Sequence, residues 1–270
     1  MFKSIFYLFF SLSLFWMCHA DTLSRNDSAI LLGEAEKYFH EANEILMKDP
    51  AKAYDLCQRA AARYEKVLLS SKFQNGKIYY NLGNIYFKMN DLGRAILAYR
   101  HSLQYNPNDV QLLQNLEYAR RQRLDKFHEQ EKTKILKTIF FWHYDFTPST
   151  RQILFLILFL LFWIQALTLL WKHPFGLKIT CIMTLFFLIS STLSLLITAR
   201  QQIRENPGVI IAKEVIARKG DGNSYAPSFT DPLHTGTEFI LLEKRTGWSE
   251  IQLPDGQSAW VPNQDIACLK

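Results

Sequence analysis

Two stretches of this chain carry no charge at all. Ile153–Trp171 runs for 19 residues and Ile179–Ala199 for 21. At a rise of about 1.5 Å per residue, each helix would reach roughly the 30 Å of a bilayer's hydrocarbon core. A soluble core helix of that length normally carries a polar stripe. Gln165 and Thr168 are the only polar residues in the first block. The reading is a pair of membrane-crossing helices at 152–171 and 179–199, joined by a turn at 172–178 that contains Pro174 and Gly176. Trp171 ends its span, where interfacial aromatic residues collect. These blocks also explain why the averages mislead. Hydrophobic residues are 49% and charged residues 21% of 270, ordinary for a soluble protein, but the apolar residues are bunched.

Residues 1–20 read as a signal peptide. Lys3 supplies the positive start, Ile5 to Trp16 the short apolar core, and Cys18-His19-Ala20 a cleavage site. Met17 fits poorly before a lipidated cysteine, so simple cleavage is favoured. An uncleaved anchor would leave the topology unchanged. Charges around the hairpin nearly balance (Lys172 and Lys178 against Arg151, Arg200 and Arg204), so the signal peptide sets the orientation. Both large segments are then exported and only the turn stays inside. The net charge of +6 reads as basic flanks beside anionic lipid rather than a nucleic-acid surface. Cys57 and Cys268 lie in exported segments, where a disulfide is permitted. Their spacing argues for nothing, and a buried free cysteine is the default. Cys181 lies in the second span.

The segment 21–136 has helical periodicity. Within it, Gly76–Asp109 is 34 residues, the length of one tetratricopeptide repeat. Tyr79, Leu82, Gly83, Tyr86, Ala95, Tyr99 and Pro107 all fall at that repeat's offsets. Gly83 and Ala95 permit a close helix crossing, Tyr86 and Tyr99 fill the space beside it, and Pro107 opens the next helix. One repeat cannot bury its own faces. Upstream, Ser28–Met47 and Ala51–Ser71 read as a divergent pair broken at Asp49-Pro50, with Ala60 and Tyr64 in the small and aromatic positions and the Leu-Gly pair displaced to Leu32-Gly33. Downstream, Asp109–Phe127 reads as one polar capping helix showing Arg120, Arg121 and Arg123 to solvent. By the repeat's pattern Lys77, Tyr80, Asn84, Phe87 and Lys88 face the groove. A cation, an amide and aromatics suit an acidic or carboxylate-bearing peptide, and the plain alternative is a solvated helix face. Residues 137–151, rich in Phe, Trp and Tyr, read as an interfacial aromatic segment.

After Ala199 the texture changes to short strands and turns. Residues 208–270 suit a small all-β SH3-like barrel, with turns at Thr246-Gly247 and Pro254-Asp255-Gly256. The segment resembles bacterial SH3 domains at Gly236, Gly247-Trp248 and Asp255-Gly256 leading to Trp260-Val261, with Ala259 where that family has Gly. Tyr225, Trp248 and Trp260 are candidates for a peptide or glycan groove, and barrel packing is the alternative for the tryptophans.

No HExxH, phosphate-binding loop, nucleophile elbow or paired CxxC occurs. No catalytic residue, cofactor or metal site is expected, and the chain reads as a non-enzyme. The order is signal peptide, all-α repeats, transmembrane hairpin and SH3-like barrel. Together with the repeat motif and Asn115–Asp125 (NLEYARRQRLD), it resembles the TPR/SH3-domain members of the Bat aerotolerance family. That resemblance implies a multi-pass protein of the bacterial cytoplasmic membrane with both domains on the periplasmic side. It implies a scaffold in an envelope complex tied to oxidative or envelope stress tolerance, partnered by von Willebrand A-domain membrane proteins and a MoxR-type AAA ATPase. A cell-wall sensor, with the barrel on peptidoglycan, is the alternative. Membrane lipid is a partner in either case, and nucleic acid in neither.

Overall fold

The computed structural model describes residues 24–70, 75–127, 140–144, 146–172, 174–204 and 206–269. The signal segment at 1–20 lies outside them, as does the start of the aromatic segment at 137–139. The chain forms two compact units. The first runs to Arg121, and the second takes 107–110 and everything from Gln122 on.

The first unit is helical: α1 (Arg25–Ile45), α2 (Pro50–Ser70), α3 (Gly76–Lys88), α4 (Leu92–Tyr105) and α5 (Val110–Arg121). Each start is written locally. Ser24, Asn75 and Asp91 cap α1, α3 and α4 through their side-chain oxygens. Asp49 accepts from Lys52 N at 3.0 Å, and Pro50 takes the first helical position of α2. Between α3 and α4 the chain reverses at Asn90, whose φ of 60° puts it in the left-handed region that asparagine tolerates. Asp91 N then closes back onto Tyr86 O at 2.9 Å.

Successive helices pack α1 on α2, α3 on α4 and α2 on α3. Gly83 shows why the repeat needs a small residue. A Cβ there would sit 2.5 Å from Tyr99 Cδ1, so the Tyr99 ring lies flat on the α3 backbone. Ala60, Ala95 and Tyr64 are fully or almost fully buried. The divergent pair solves its crossing differently from the sequence expectation. Nothing approaches Gly33, and the buried small residues of α1 are Ser28, Ala35 and Ala42. Pro107 does not open the next helix either. It is exposed in the turn that precedes Val110.

Among the described residues the second unit holds a short helix α6 (Phe141–Tyr144), two long helices α7 (Pro148–Trp171) and α8 (Phe175–Arg204), and seven strands. The turn is tighter than 172–178. Lys172 closes α7 by donating to Thr168 O, and Gly176 already belongs to α8, whose first turn is closed by Leu177 N on Pro174 O at 3.1 Å. By length and composition both helices can cross a membrane, over Ser149–Trp171 and Phe175–Arg200.

The strands are β1 (Asn206–Ile210), β2 (Glu214–Val215), β3 (Leu233–His234), β4 (Glu238–Lys244), β5 (Trp248–Gln252), β6 (Ser258–Pro262) and β7 (Ile266–Cys268). Five form an antiparallel sheet in the order β6-β5-β4-β1-β7, and β2–β3 make a separate ribbon. The fold is SH3-like but the barrel stays open, with β6 and β7 as its edges. Ile210, Phe239, Ile251, Leu253 and Val261 fill the core. Gly247, with φ of 83°, turns β4 into β5 where a side chain would be strained.

The segment Asp109–Phe127 is not one helix. Helix α5 stops at Arg121, and 122–127 leave it to dock on the β-structure. Asp125 accepts from His234 N at 2.6 Å and from the Thr237 hydroxyl at 2.5 Å, and its other oxygen meets His234 Nδ1 at 2.7 Å. Arg123 pairs with Glu238 at 3.0 Å, both half-buried, rather than facing solvent. Phe127 packs against the β core. These contacts satisfy polar groups that a continued helix would leave open. Cys57, Cys181 and Cys268 are free thiols.

Candidate functional site

The first unit carries an open groove of about 680 Å³ lined by Phe39 and Asn43 of α1, Asn84, Phe87 and Lys88 of α3, Tyr99 of α4, and Asn115 and Tyr118 of α5. Asn84 organises its floor. Its Oδ1 accepts from the Tyr99 hydroxyl at 2.8 Å and from Asn115 Nδ2 at 3.1 Å. Asn115 Nδ2 also reaches the Tyr80 oxygen at 3.1 Å. Burial pushes the Tyr99 phenol well above its ordinary value, with Tyr80 adding to the rise, so the hydroxyl stays protonated as a donor. With its oxygen doubly engaged, Asn84, a lining residue, has its two Nδ2 hydrogens left to donate. Beside it Lys88 is exposed and bonds no carboxylate among the described residues. Phe87 and Tyr118 form an aromatic wall, their rings 5.5 Å apart and tilted by 58°. An amide donor, a cation and aromatic faces in one concavity are the chemistry that holds a carboxylate and an apolar neighbour.

Of the residues expected in the groove, Asn84, Phe87 and Lys88 line it. Tyr80 joins through Asn115, and Lys77 stands exposed in the first turn of α3, outside the lining. Phe39, Asn43, Asn115 and Tyr118 are lining residues that sequence reasoning passed over. The signal was there in their spacing: Phe39 and Asn43 are four apart and Asn115 and Tyr118 three apart, each pair on one helix face. Below the groove, Leu82, Gly83, Tyr86, Ala95 and Tyr99 are buried, and Tyr86 hydrogen-bonds Glu65. Tyr79 is half-buried, stacked on His101 with ring centroids 4.7 Å apart.

In the second unit the register pairs Glu250 with Trp260 and Trp248 with Pro262, while Ile251 opposes Ala259 in the core. Trp248 and Trp260 therefore share the outer face of the sheet. Trp260 is covered: the Arg245 guanidinium lies 4.6 Å from its ring centroid. Glu243 (2.8 Å) and Asp221 (2.9 Å) hold that guanidinium in place. Tyr225 is exposed, its ring packed over Gly220 and its carbonyl accepting from Arg218 at 2.7 Å.

A tetratricopeptide-repeat family profile matches residues 76–109. No curated protein matches the chain. The profile match falls on the α3–α4 hairpin that supplies the groove's floor, and with the flanking helices it makes this a tetratricopeptide-repeat-containing protein.

Proposed function

We propose that this protein is a non-catalytic, membrane-anchored scaffold that holds a carboxylate-bearing segment of a partner protein in its helical groove and gains a second contact through its SH3-like unit. The observation that carries it is the groove itself, with Asn84 Nδ2 and the unpaired Lys88 beside the Phe87–Tyr118 wall. Two weak contacts on one chain strengthen each other through effective concentration. The membrane reading draws on α7 and α8, whose most apolar stretches are 0% and 6% buried, unlike a soluble core helix. It also draws on the contact between 123–127, which precede α7, and strands β3 and β4, which follow α8. A hairpin that returns to its own side allows that contact. The Bat-like reading adds the bacterial cytoplasmic membrane, a periplasmic location, an envelope complex in stress tolerance, and A-domain membrane proteins with a MoxR-type ATPase as partners.

The test is crosslinking in intact cells followed by affinity capture from detergent, comparing the natural chain with Asn84→Ala/Lys88→Glu. The expected result is loss of the A-domain partners from the double variant while the chain stays folded. Equal recovery from both would remove the groove from the mechanism. Recovery of wall fragments alone would move the function to the SH3-like unit, where Tyr225 is exposed and Trp248 half-buried, on peptidoglycan.

A further inference from the structure

Beside α6, helices α7 and α8 line a second, partly open cavity of about 400 Å³. Its wall is apolar, built from Leu154, Ile157, Phe186 and Phe187 with Trp142 at one side, and Arg151 and Ser194 stand at one end. Arg151 is 6% exposed. Its Nη1 donates to Thr198 Oγ1 at 2.8 Å and Ser194 Oγ at 3.0 Å, and meets His143 Nδ1 at 3.0 Å. All these partners are uncharged or can be so. Burial, and Arg151 itself, push the His143 imidazole below its ordinary value, toward the neutral ring that accepts from the guanidinium. Arg151 Nε is buried with no hydrogen-bond partner. Among the described residues no carboxylate pairs with this side chain.

A guanidinium cannot shed its charge at any ordinary pH. Buried beside apolar surface with an unused donor, and with no carboxylate beside it among the described residues, it offers a site for an anion. Its place in the sequence says which. Arg151 stands two residues before the uncharged block of α7, and Thr198 one residue before the end of the uncharged block of α8. Both then lie where hydrocarbon meets headgroups. The anion found at that level in every membrane is a lipid phosphate, and the acyl chain attached to it matches the cavity wall. The volume lies within the usual range of about 300–1,000 Å³ for small-molecule sites. We infer that this cavity holds one anionic phospholipid, its phosphate on Arg151 and an acyl chain against Ile157 and Phe187. The inference rests on the reading of α7 and α8 as membrane spans.

The test uses the full chain in nanodiscs of mixed phosphatidylglycerol and phosphatidylcholine. After detergent release, native mass spectrometry counts the lipids that stay bound. The expected result is one retained phosphatidylglycerol, preferred over phosphatidylcholine by about five-fold, as one interfacial cation contributes. Arg151→Gln is expected to abolish the preference and Arg151→Lys to keep part of it. Ser190→Phe, which fills the cavity but leaves the guanidinium, is expected to lose the lipid. Equal retention of the two lipids, an unchanged Arg151→Gln, or displacement of the lipid by millimolar inorganic phosphate would each overturn the inference. Carbonate extraction of the same variants separates the two claims: a natural chain washed off membranes would sink the membrane reading, and the lipid site with it.

Discussion

At the scale of single residues, the repeat depends on one atom that is missing. Gly83 lets the Tyr99 ring lie on α3, and Gly83→Ala puts a methyl 2.5 Å from that ring. Neither the ring, hydrogen-bonded to Asn84, nor the α3 backbone can move freely. Overpacking of this kind costs typically about 1–3 kcal/mol. Chemical denaturation of the purified protein, followed by the tyrosine signal, should show that loss, and an unchanged midpoint would mean the crossing is loose. Ser102 is a gentler case. It stands where the repeat usually has Ala, and its hydroxyl donates to Gly76 O at 2.8 Å in a buried setting. Ser102→Ala should cost no more than about 1 kcal/mol, because the Gly76 carbonyl keeps its place at the start of α3. The importance of Gly83 was legible from its offset to Tyr86, Ala95 and Tyr99. The spacing of Asn115 and Tyr118 marks one helix face, but nothing local says that Asn115 bonds Asn84 and Tyr80 of another helix.

At the scale of elements, the six residues after α5 decide the most. Burial alone would raise the Asp125 pKa. Donation from His234 N, the Thr237 hydroxyl and the His234 ring outweighs it, and the carboxyl sits below its ordinary value. A carboxylate depressed in the folded state contributes stability that is present above the unfolded value of about 3.9 and is lost as pH falls through the lower docked value. The docked segment should therefore hold at neutral pH and release only in acid. Asp125→Ala should release it at neutral pH. Trypsin would then cut after Arg123 and Lys126 markedly faster than in the natural chain. Equal cleavage rates would show that Phe127 and the Arg123–Glu238 pair anchor the segment without Asp125. The sequence reading ran one polar capping helix from Asp109 to Phe127, with Arg120, Arg121 and Arg123 on its charged face. What stops the helix is a set of partners more than 100 residues away, which no local pattern carries.

For the whole molecule, the prediction is topological. With the native cysteines replaced, single cysteines at Asn26 and Asn223, both exposed, should react alike with an impermeant maleimide on spheroplasts. Labelling of one and not the other would refute the hairpin. Labelling of neither, with both reactive after lysis, would place both units in the cytoplasm. The same preparation tests the groove: removing Lys88 should weaken capture of a carboxylate-bearing partner and make the remainder less sensitive to salt, since an exposed ion pair is screened.

The sequence alone determined the order of parts. Uncharged blocks of 19 and 21 residues, a 34-residue repeat and turn-punctuated strands are local patterns, each set by solvent or by neighbours a few residues away. The tertiary structure decided everything that needs distant groups to meet. It opened the barrel along β6 and β7, drew Asn115 to Asn84, and covered Trp260 with Arg245. It also buried Arg151 between two apolar helices. Periodicity says which face a residue takes, whereas partner and burial depend on what the rest of the chain brings to that face.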